Sequence, residues 1–384
     1  MSISPAVKKQ IFLFTLIRLY INTGIRMFSP FLPAFGRALG VSLASMSAAV
    51  SISTAVSAVV PFFATIADRR GRRIGILLGL GFIAAGAGLV AIWPAFLAML
   101  LALLLINLGD NILIPSINAH LGDTVPYSKR AAVISVTEMS WALAFVLGVP
   151  LMGVMIEHLG WQSPFVMMLI MSGLSFLVIL RIMPKGSGQP AGSYSLDSIK
   201  QVFRSRPAVM CLVMAVLIGT GYQTISLVFG AWMEDSFQMN LTSLGAASII
   251  IGISELSGEV LAAFLTDRLG KERSVVIGLI LNTLVVILLP FLGINTAGAL
   301  IWLFAFYLTY EFYVVSFIPL ATEALPDARA TLMATIIASF CIGWASGSLL
   351  AAWFYQWGFL ANVIFGGVLN LVVLLPLSQV KIKA

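Results

Sequence analysis

The chain has 384 residues, of which 60% are hydrophobic and only 10% charged, with a net charge of +7. A soluble domain carries about a quarter charged residues, so this chain could not cover a water-facing surface. It can supply about a dozen apolar spans of about 20 residues with short loops left over, which excludes a water-soluble enzyme.

In chain order the predicted spans are 11–35, 42–67, 74–92, 95–119, 130–154 and 162–183, then 207–233, 243–266, 274–293, 297–322, 330–353 and 359–378. The first stretch lacks a small-residue cleavage site and contains Arg18 and Arg26, so it reads as a retained helix and not as a signal peptide. Of the 22 Lys and Arg residues, 19 fall on one side of the twelve spans, in loops or at span ends, and only Arg37 falls on the other. Basic loops stay cytoplasmic, so both termini are expected in the cytoplasm of a multi-pass protein of a bacterial or archaeal plasma membrane. The positive charge is thereby a topology signal, and no nucleic-acid partner is expected. Cys211 and Cys341 lie in different spans and offer neither a disulfide framework nor metal spacing. No cofactor or metal is expected.

Residues 184–206 interrupt the pattern. Their Gly/Ser/Pro start reads as a flexible linker. Leu196, Ile199, Val202 and Phe203 beside Lys200, Arg204 and Arg206 then read as an amphipathic segment on the membrane surface. The linker separates an amino-terminal bundle of six spans (1–183) from a carboxy-terminal bundle of six (207–384). The halves repeat. Asp68-Arg69-Arg70-Gly71-Arg72 returns as Asp267-Arg268-Leu269-Gly270-Lys271, Asp123 as Glu323, Thr23-Gly24 as Thr220-Gly221, and Asp110 as Glu311, at offsets of 199, 200, 197 and 201. The expected fold is therefore an all-α membrane protein of twelve transmembrane helices in two pseudo-symmetric six-helix bundles. An internal repeat of this kind points to a transporter whose site lies between the repeats near the bilayer midplane.

Seven charged residues fall inside spans, away from the cytoplasmic span ends that carry Arg130 and Arg181: Arg18, Arg26, Asp110, Glu138, Glu255, Glu259 and Glu311. Each costs roughly 2.5–3.5 kcal/mol or more facing lipid at a helix centre, so each is expected to face a cavity or a partner. Arg18, Asn22 and Arg26 make one polar stripe on span 1. Asn107, Asp110 and Asn111 make another on span 4; Tyr222 and Gln223 belong to a patch on span 7; Tyr307, Tyr310 and Glu311 mark span 10. Equal depth below the span centres predicts an Arg18–Asp110 pair, direct or through a water. Arg26, at shallower depth, is expected to hold an anionic group of a substrate or to snorkel outward. Glu311 is expected either to carry a transported proton or to stay permanently protonated against a tyrosine such as Tyr307. Glu138, Glu255 and Glu259 form either a coupled acidic cluster or, for Glu138 and Glu259, partners of Arg130 and Arg268. Ser339, Gly343 and Gly347 are expected to be helix-packing residues.

The loop Ala64-Thr-Ile-Ala-Asp68-Arg69-Arg70-Gly71-Arg72-Arg73 resembles the signature loop G-x-x-x-D-R-x-G-R-[RK] of the major facilitator superfamily, with Ala64 at the first glycine. Gly148-Val149-Pro150…Gly153 in span 5 and Asn22…Pro30-Phe31-Leu32-Pro33 in span 1 are similar to motifs of its twelve-span drug/proton antiporter branch, although span 4 has no arginine. The resemblance, which covers the whole chain, implies that the first and fourth spans of each half line a central cavity. It also implies a conformational latch built from Asp68, Arg69, Gly71 and Arg72 and from Asp267, Arg268 and Gly270, in which the aspartates meet the N-termini of spans 11 and 5. The function expected is alternating-access secondary transport: proton-coupled export (antiport, efflux) of small amphipathic or hydrophobic compounds by a monomer. The partners are then the substrate, protons and the lipid bilayer. The alternative is a facilitator or importer of an organic anion on Arg18 and Arg26, without obligatory proton coupling. A membrane-embedded enzyme is not expected, because no nucleophile motif, metal cluster or phosphate loop is present.

Overall fold

A computed structural model describes residues 5–58, 71–183 and 196–380. Among the described residues, ten helices are long and apolar enough to cross a membrane. A bent pair, Pro5–Arg26 and Phe28–Leu39, supplies span 1, and Leu43–Ser57 is the described part of span 2. Span 3 is Arg72–Ile92, span 4 Phe96–Thr124 and span 6 Ser163–Ile182. Span 5 runs in pieces from Tyr127 to Leu159. A surface helix, Leu196–Arg204, leads into span 7, which is Arg206–Ser226 followed by Phe229–Phe237. Spans 8 to 12 are Leu241–Leu269, Lys271–Leu292, Thr296–Glu323, Arg329–Tyr355 and Phe359–Leu377. The helices belong to two pseudo-symmetric bundles of six.

Short polar residues start several spans. The side chains of Ser42, Ser205, Asn240 and Asn295 accept from the backbone N–H three residues on, which satisfies a donor that the first turn leaves orphaned. The repeated loop before spans 3 and 9 turns at Gly71 (φ 98°) and Gly270 (φ 89°), conformations that a side chain would strain. Just beyond them, Arg72 pairs with Asp123 at 3.3 Å, and Lys271 pairs with Glu323 in the other half. The repeated residues therefore make equivalent bonds, each tying the start of the third span of a half to the end of the fourth.

Three breaks shape the interior. Span 1 bends by 55° between Arg26 and Phe28. Pro30 has no N–H for the carbonyl of Arg26, so the helix cannot continue straight there. Span 7 breaks at the equivalent place, between Ser226 and Phe229. Span 5 carries a π-turn over Ala144–Gly148, just ahead of Pro150, which cannot donate to the carbonyl of Val146.

Within each half, span 3 packs on spans 4 and 6, and span 9 on span 10, while span 7 packs on spans 11 and 12. Gly343 and Gly347 let span 11 approach span 7 closely. A Cβ at either would lie 2.4–2.5 Å from the carbonyl oxygens of Val216 and Thr220, as the expected small-residue packing requires. The halves meet through spans 2 and 11, spans 5 and 8, and the second pieces of spans 1 and 7. The face that carries Arg72, Arg181, Arg206, Lys271 and Arg329 is the basic face. Hydrogen bonds and ion pairs join the halves at mid-depth and toward the opposite face. There Arg37 pairs with Glu234 at 2.8 Å, Thr242 N–H donates to Glu157 at 2.7 Å, and Gly230 lies directly over Pro30. The halves are thus closed over one another on the opposite face.

Candidate functional site

Below that closure lies a cavity of about 260 Å³ between the halves. Span 1 contributes Gly24 to Arg26, Phe28 and Ser29 to its wall; span 4 contributes Asn107, Asp110 and Asn111; span 7 contributes Tyr222, Gln223 and Ser226. The bend in span 1 explains part of this. It swings Phe28 and Ser29 out of line with Arg26, so both sides of the break border the same space. Spans 2, 5 and 11 complete the wall with Ser53, Ser57, Trp141, Phe145, Cys341 and Trp344.

The two arginines are each committed. Arg18, 3% exposed, forks onto both oxygens of Glu138 at 2.7 and 2.6 Å and donates to Thr137 at 3.3 Å. The direct Arg18–Asp110 pair expected from depth is therefore replaced by Arg18–Glu138. Equal depth does not choose between neighbours, and Glu138 on span 5 offers a bidentate geometry that matches the guanidinium. For the same reason Glu138 is not wired to Arg130 or Arg268. Arg26 does not snorkel outward. It forks onto Glu255 of span 8, with one bond at 2.7 Å, donates to the carbonyl of Trp141 at 3.0 Å, and lies over the rings of Phe145 (3.7 Å) and Trp141 (4.3 Å). This pair bridges the two halves. Asn22, one turn away, donates to Ser140 at 3.1 Å.

The acids outnumber these cations. Asp110 borders the cavity, and its buried Oδ1 has no hydrogen-bond partner among the described residues. Asn107 and Asn111 turn their amides back to carbonyls of their own helix, at 3.0 and 2.8 Å, and do not hold Asp110. Glu311 and Glu259 make no ion pair among the described residues, although they sit close enough to Glu255 to act on one another electrostatically. Tyr307 is not the partner of Glu311: its hydroxyl donates to Ser226 at 2.9 Å. Tyr222 stacks on Tyr310, with centroids 4.1 Å apart, and meets Tyr307 edge-on. Span 10 therefore stands behind Tyr222 and does not border the cavity.

The structure brings together Arg26, Asn107, Asp110, Asn111, Tyr222 and Gln223 on one cavity wall. Arg18 and Glu138, and Glu255 with Glu311, flank it from behind. Asp68 and Arg69 lie outside the described residues. Asp267 is exposed and makes no bond among them, so its expected contact with the start of span 5 is absent while the opposite face is closed. Sequence reasoning missed the lining residues of spans 2 and 11. Ser53 and Ser57, one turn apart in an apolar helix, were the available signal on span 2; Trp344 gave none. It also missed Glu255 as the partner of Arg26.

Two six-helix bundles around a central cavity, with charged side chains held at bilayer depth, define a membrane transporter. The Major Facilitator Superfamily model matches residues 14–331 and 211–384. The chain belongs to that superfamily and is a secondary transporter. It is 24% identical over 355 residues to the uncharacterized MFS-type transporter YceJ of Bacillus subtilis (strain 168), covering 90% of this chain and 89% of that one. A second B. subtilis relative, the uncharacterized MFS-type transporter YbcL, is 21% identical over 332 residues, 84% of this chain and 85% of that one. Among solved structures, the fold matches a bacterial homolog of the human lysosomal transporter Spinster in an inward-facing and unoccupied conformation. That match has a TM-score of 0.76 at 13% identity and covers all of both chains. It also matches a peptide transporter, POT, in complex with sulfate, with a TM-score of 0.77 at 15% identity over 98% and 96% of the chains.

Proposed function

We propose that the protein is a proton-coupled exporter, an antiporter of small amphipathic or hydrophobic compounds. One observation supports this reading above the others: both membrane arginines are forked onto carboxylates, and three further carboxyls, Asp110, Glu259 and Glu311, are left without a cation. A carboxylate at bilayer depth without a cation is costly, and a proton removes the charge. Groups that must gain and lose protons as water enters and leaves are what coupling requires. Asp110 reaches the cavity, so substrate and proton compete there, while Glu311 and Glu259 carry protons behind it. The apolar and aromatic wall suits an amphipathic substrate.

In this reading the basic face is cytoplasmic, both termini are inside, and the protein works as a monomer in the plasma membrane. The bundles comprise 1–183 and 207–384, with 184–206 as the cytoplasmic linker. Asp68 and Asp267 close the cytoplasmic face when the opposite face opens. The organic-anion alternative needs a free guanidinium, and both are occupied. The test is flux of amphipathic dyes from proteoliposomes under an imposed pH gradient. Asp110→Asn and Glu311→Gln should each abolish pH-driven flux while leaving the melting temperature close to that of the wild type. Undiminished flux in both variants removes the mechanism.

A further inference from the structure

The cavity wall has a definite charge. Among the described residues that line it, the ionisable groups are Arg26, Asp110, Tyr222 and Cys341. Arg26 is neutralised by Glu255, with 3% and 1% of the two side chains exposed, and its faces are covered by Trp141 and Phe145. The charged groups nearest Asp110 are Arg18 and Glu138, which neutralise one another. The acid left without a counter-charge at the cavity is therefore Asp110, negative once it gives up its proton.

Two buried polar atoms of the wall also lack a hydrogen-bond partner among the described residues: Asp110 Oδ1 on the first half and the indole Nε1 of Trp344 on the second. Buried polar atoms are ordinarily bonded, so an unpartnered acceptor and an unpartnered donor across one cavity mark the points where a bound molecule completes the site. The rest of the wall is rings: Phe28, Trp141, Phe145, Tyr222 and Trp344. Aromatic faces and a carboxylate recognise the same chemistry, a cation attached to an apolar body.

We infer that the cavity takes organic cations, with the positive group against Asp110, an acceptor of the molecule at Trp344 Nε1 where it has one, and its apolar part among the rings. This rests on the reading of the cavity as the substrate site and adds the charge of the substrate to it. An anion would meet no free cation, and the carboxylate would repel it.

The test is equilibrium binding to the purified full chain in nanodiscs by calorimetry, which needs no transport. The probes are benzyltriethylammonium, whose charge does not depend on pH, and benzenesulfonate, which pairs a similar ring with the opposite charge. The ammonium should bind at least tenfold tighter than the sulfonate. Asp110→Asn should erase that preference, and Asp110→Glu should retain most of it, which separates lost charge from lost folding. Absent saturable binding of the ammonium, an equal or stronger affinity for the sulfonate, or a preference that survives in Asp110→Asn each overturns the inference. Cation-selective binding with flux indifferent to a pH gradient would refute proton coupling and leave this inference standing. Coupled flux with anion preference would do the reverse.

Discussion

Replacing Glu255 by Gln tests the reading of the interior most directly. The Arg26–Glu255 pair is enclosed on all sides, and its two side chains come from different halves of the molecule. Glutamine keeps the volume and still accepts one hydrogen bond, but it leaves the guanidinium without a counter-charge. Removing one partner of a buried ion pair costs about 3–5 kcal/mol. The bond that glutamine retains places the expected loss near the lower end, about 3 kcal/mol, or roughly 150-fold in the folding equilibrium. Replacing both partners by methionine removes the stranded charge and keeps the packing, so the double variant should recover most of the loss. The assay is reversible unfolding in mixed detergent micelles, with the single and double variants forming a thermodynamic cycle. A loss below about 1 kcal/mol in Glu255→Gln, or a double variant no more stable than the worse single one, would refute a desolvated inter-half ion pair.

Two further outcomes follow from the packing. At Gly230 a Cβ would fall 2.2 Å from the carbonyl oxygen of Pro30, a backbone atom that cannot step aside. Gly230→Ala should cost about 1–3 kcal/mol in the closed arrangement and pry the opposite face apart. Labelling of a cysteine at Ser29, in a chain lacking the native cysteines, by an impermeant maleimide added from that face should then rise; unchanged labelling contradicts the closure. In the unmodified chain, Cys341 lines the cavity whereas Cys211 is packed within the second half. A small neutral maleimide should react first at Cys341, and equal rates at the two thiols would mean that the cavity is not reached from water.

Much of this architecture was legible in the sequence because bilayer thickness and loop charge constrain it heavily. Apart from the end of span 2, which lies outside the described residues, the predicted spans lie within about six residues of the observed helices, and the repeat at Gly71 and Gly270 proved to be one turn used twice. The stripes on spans 4 and 7, and Arg26 of the stripe on span 1, reached the cavity because one-turn spacing fixes a helix face. What sequence could not fix was helix rotation about the bundle axis. Depth is readable at 1.5 Å per residue, but Arg18 had carboxyls at suitable depth on more than one neighbour, and only the packing of span 1 on span 5 selects Glu138 over Asp110. The same blindness put Tyr307 beside Glu311, its chain neighbour by one turn, when its hydroxyl points to Ser226 on span 7. Trp344 could not be told from a lipid-facing tryptophan, since both are apolar side chains on an apolar helix.

The two halves share a scaffold but divide the charges unequally. The turns at Gly71 and Gly270, the pairs Arg72–Asp123 and Lys271–Glu323, and the breaks in spans 1 and 7 all recur. The arginines do not: at the offset of 197 that aligns Thr23-Gly24 with Thr220-Gly221, Arg18 and Arg26 correspond to Ala215 and Gln223. The membrane cations thus all belong to the first half, and the second half holds only acids: Glu255, Glu259 and Glu311. One cation must reach across to neutralise one of those acids, and Arg26 does so at mid-depth. In a rocking motion displacement grows with distance from the axis, so a bond near the centre is the least disturbed. Gly230 on Pro30 and Arg37 on Glu234, far from the centre, must part for the opposite face to open. Arg26–Glu255 is then the contact that can persist through the cycle, and in the proposed antiport the acids beyond its reach are those that exchange protons.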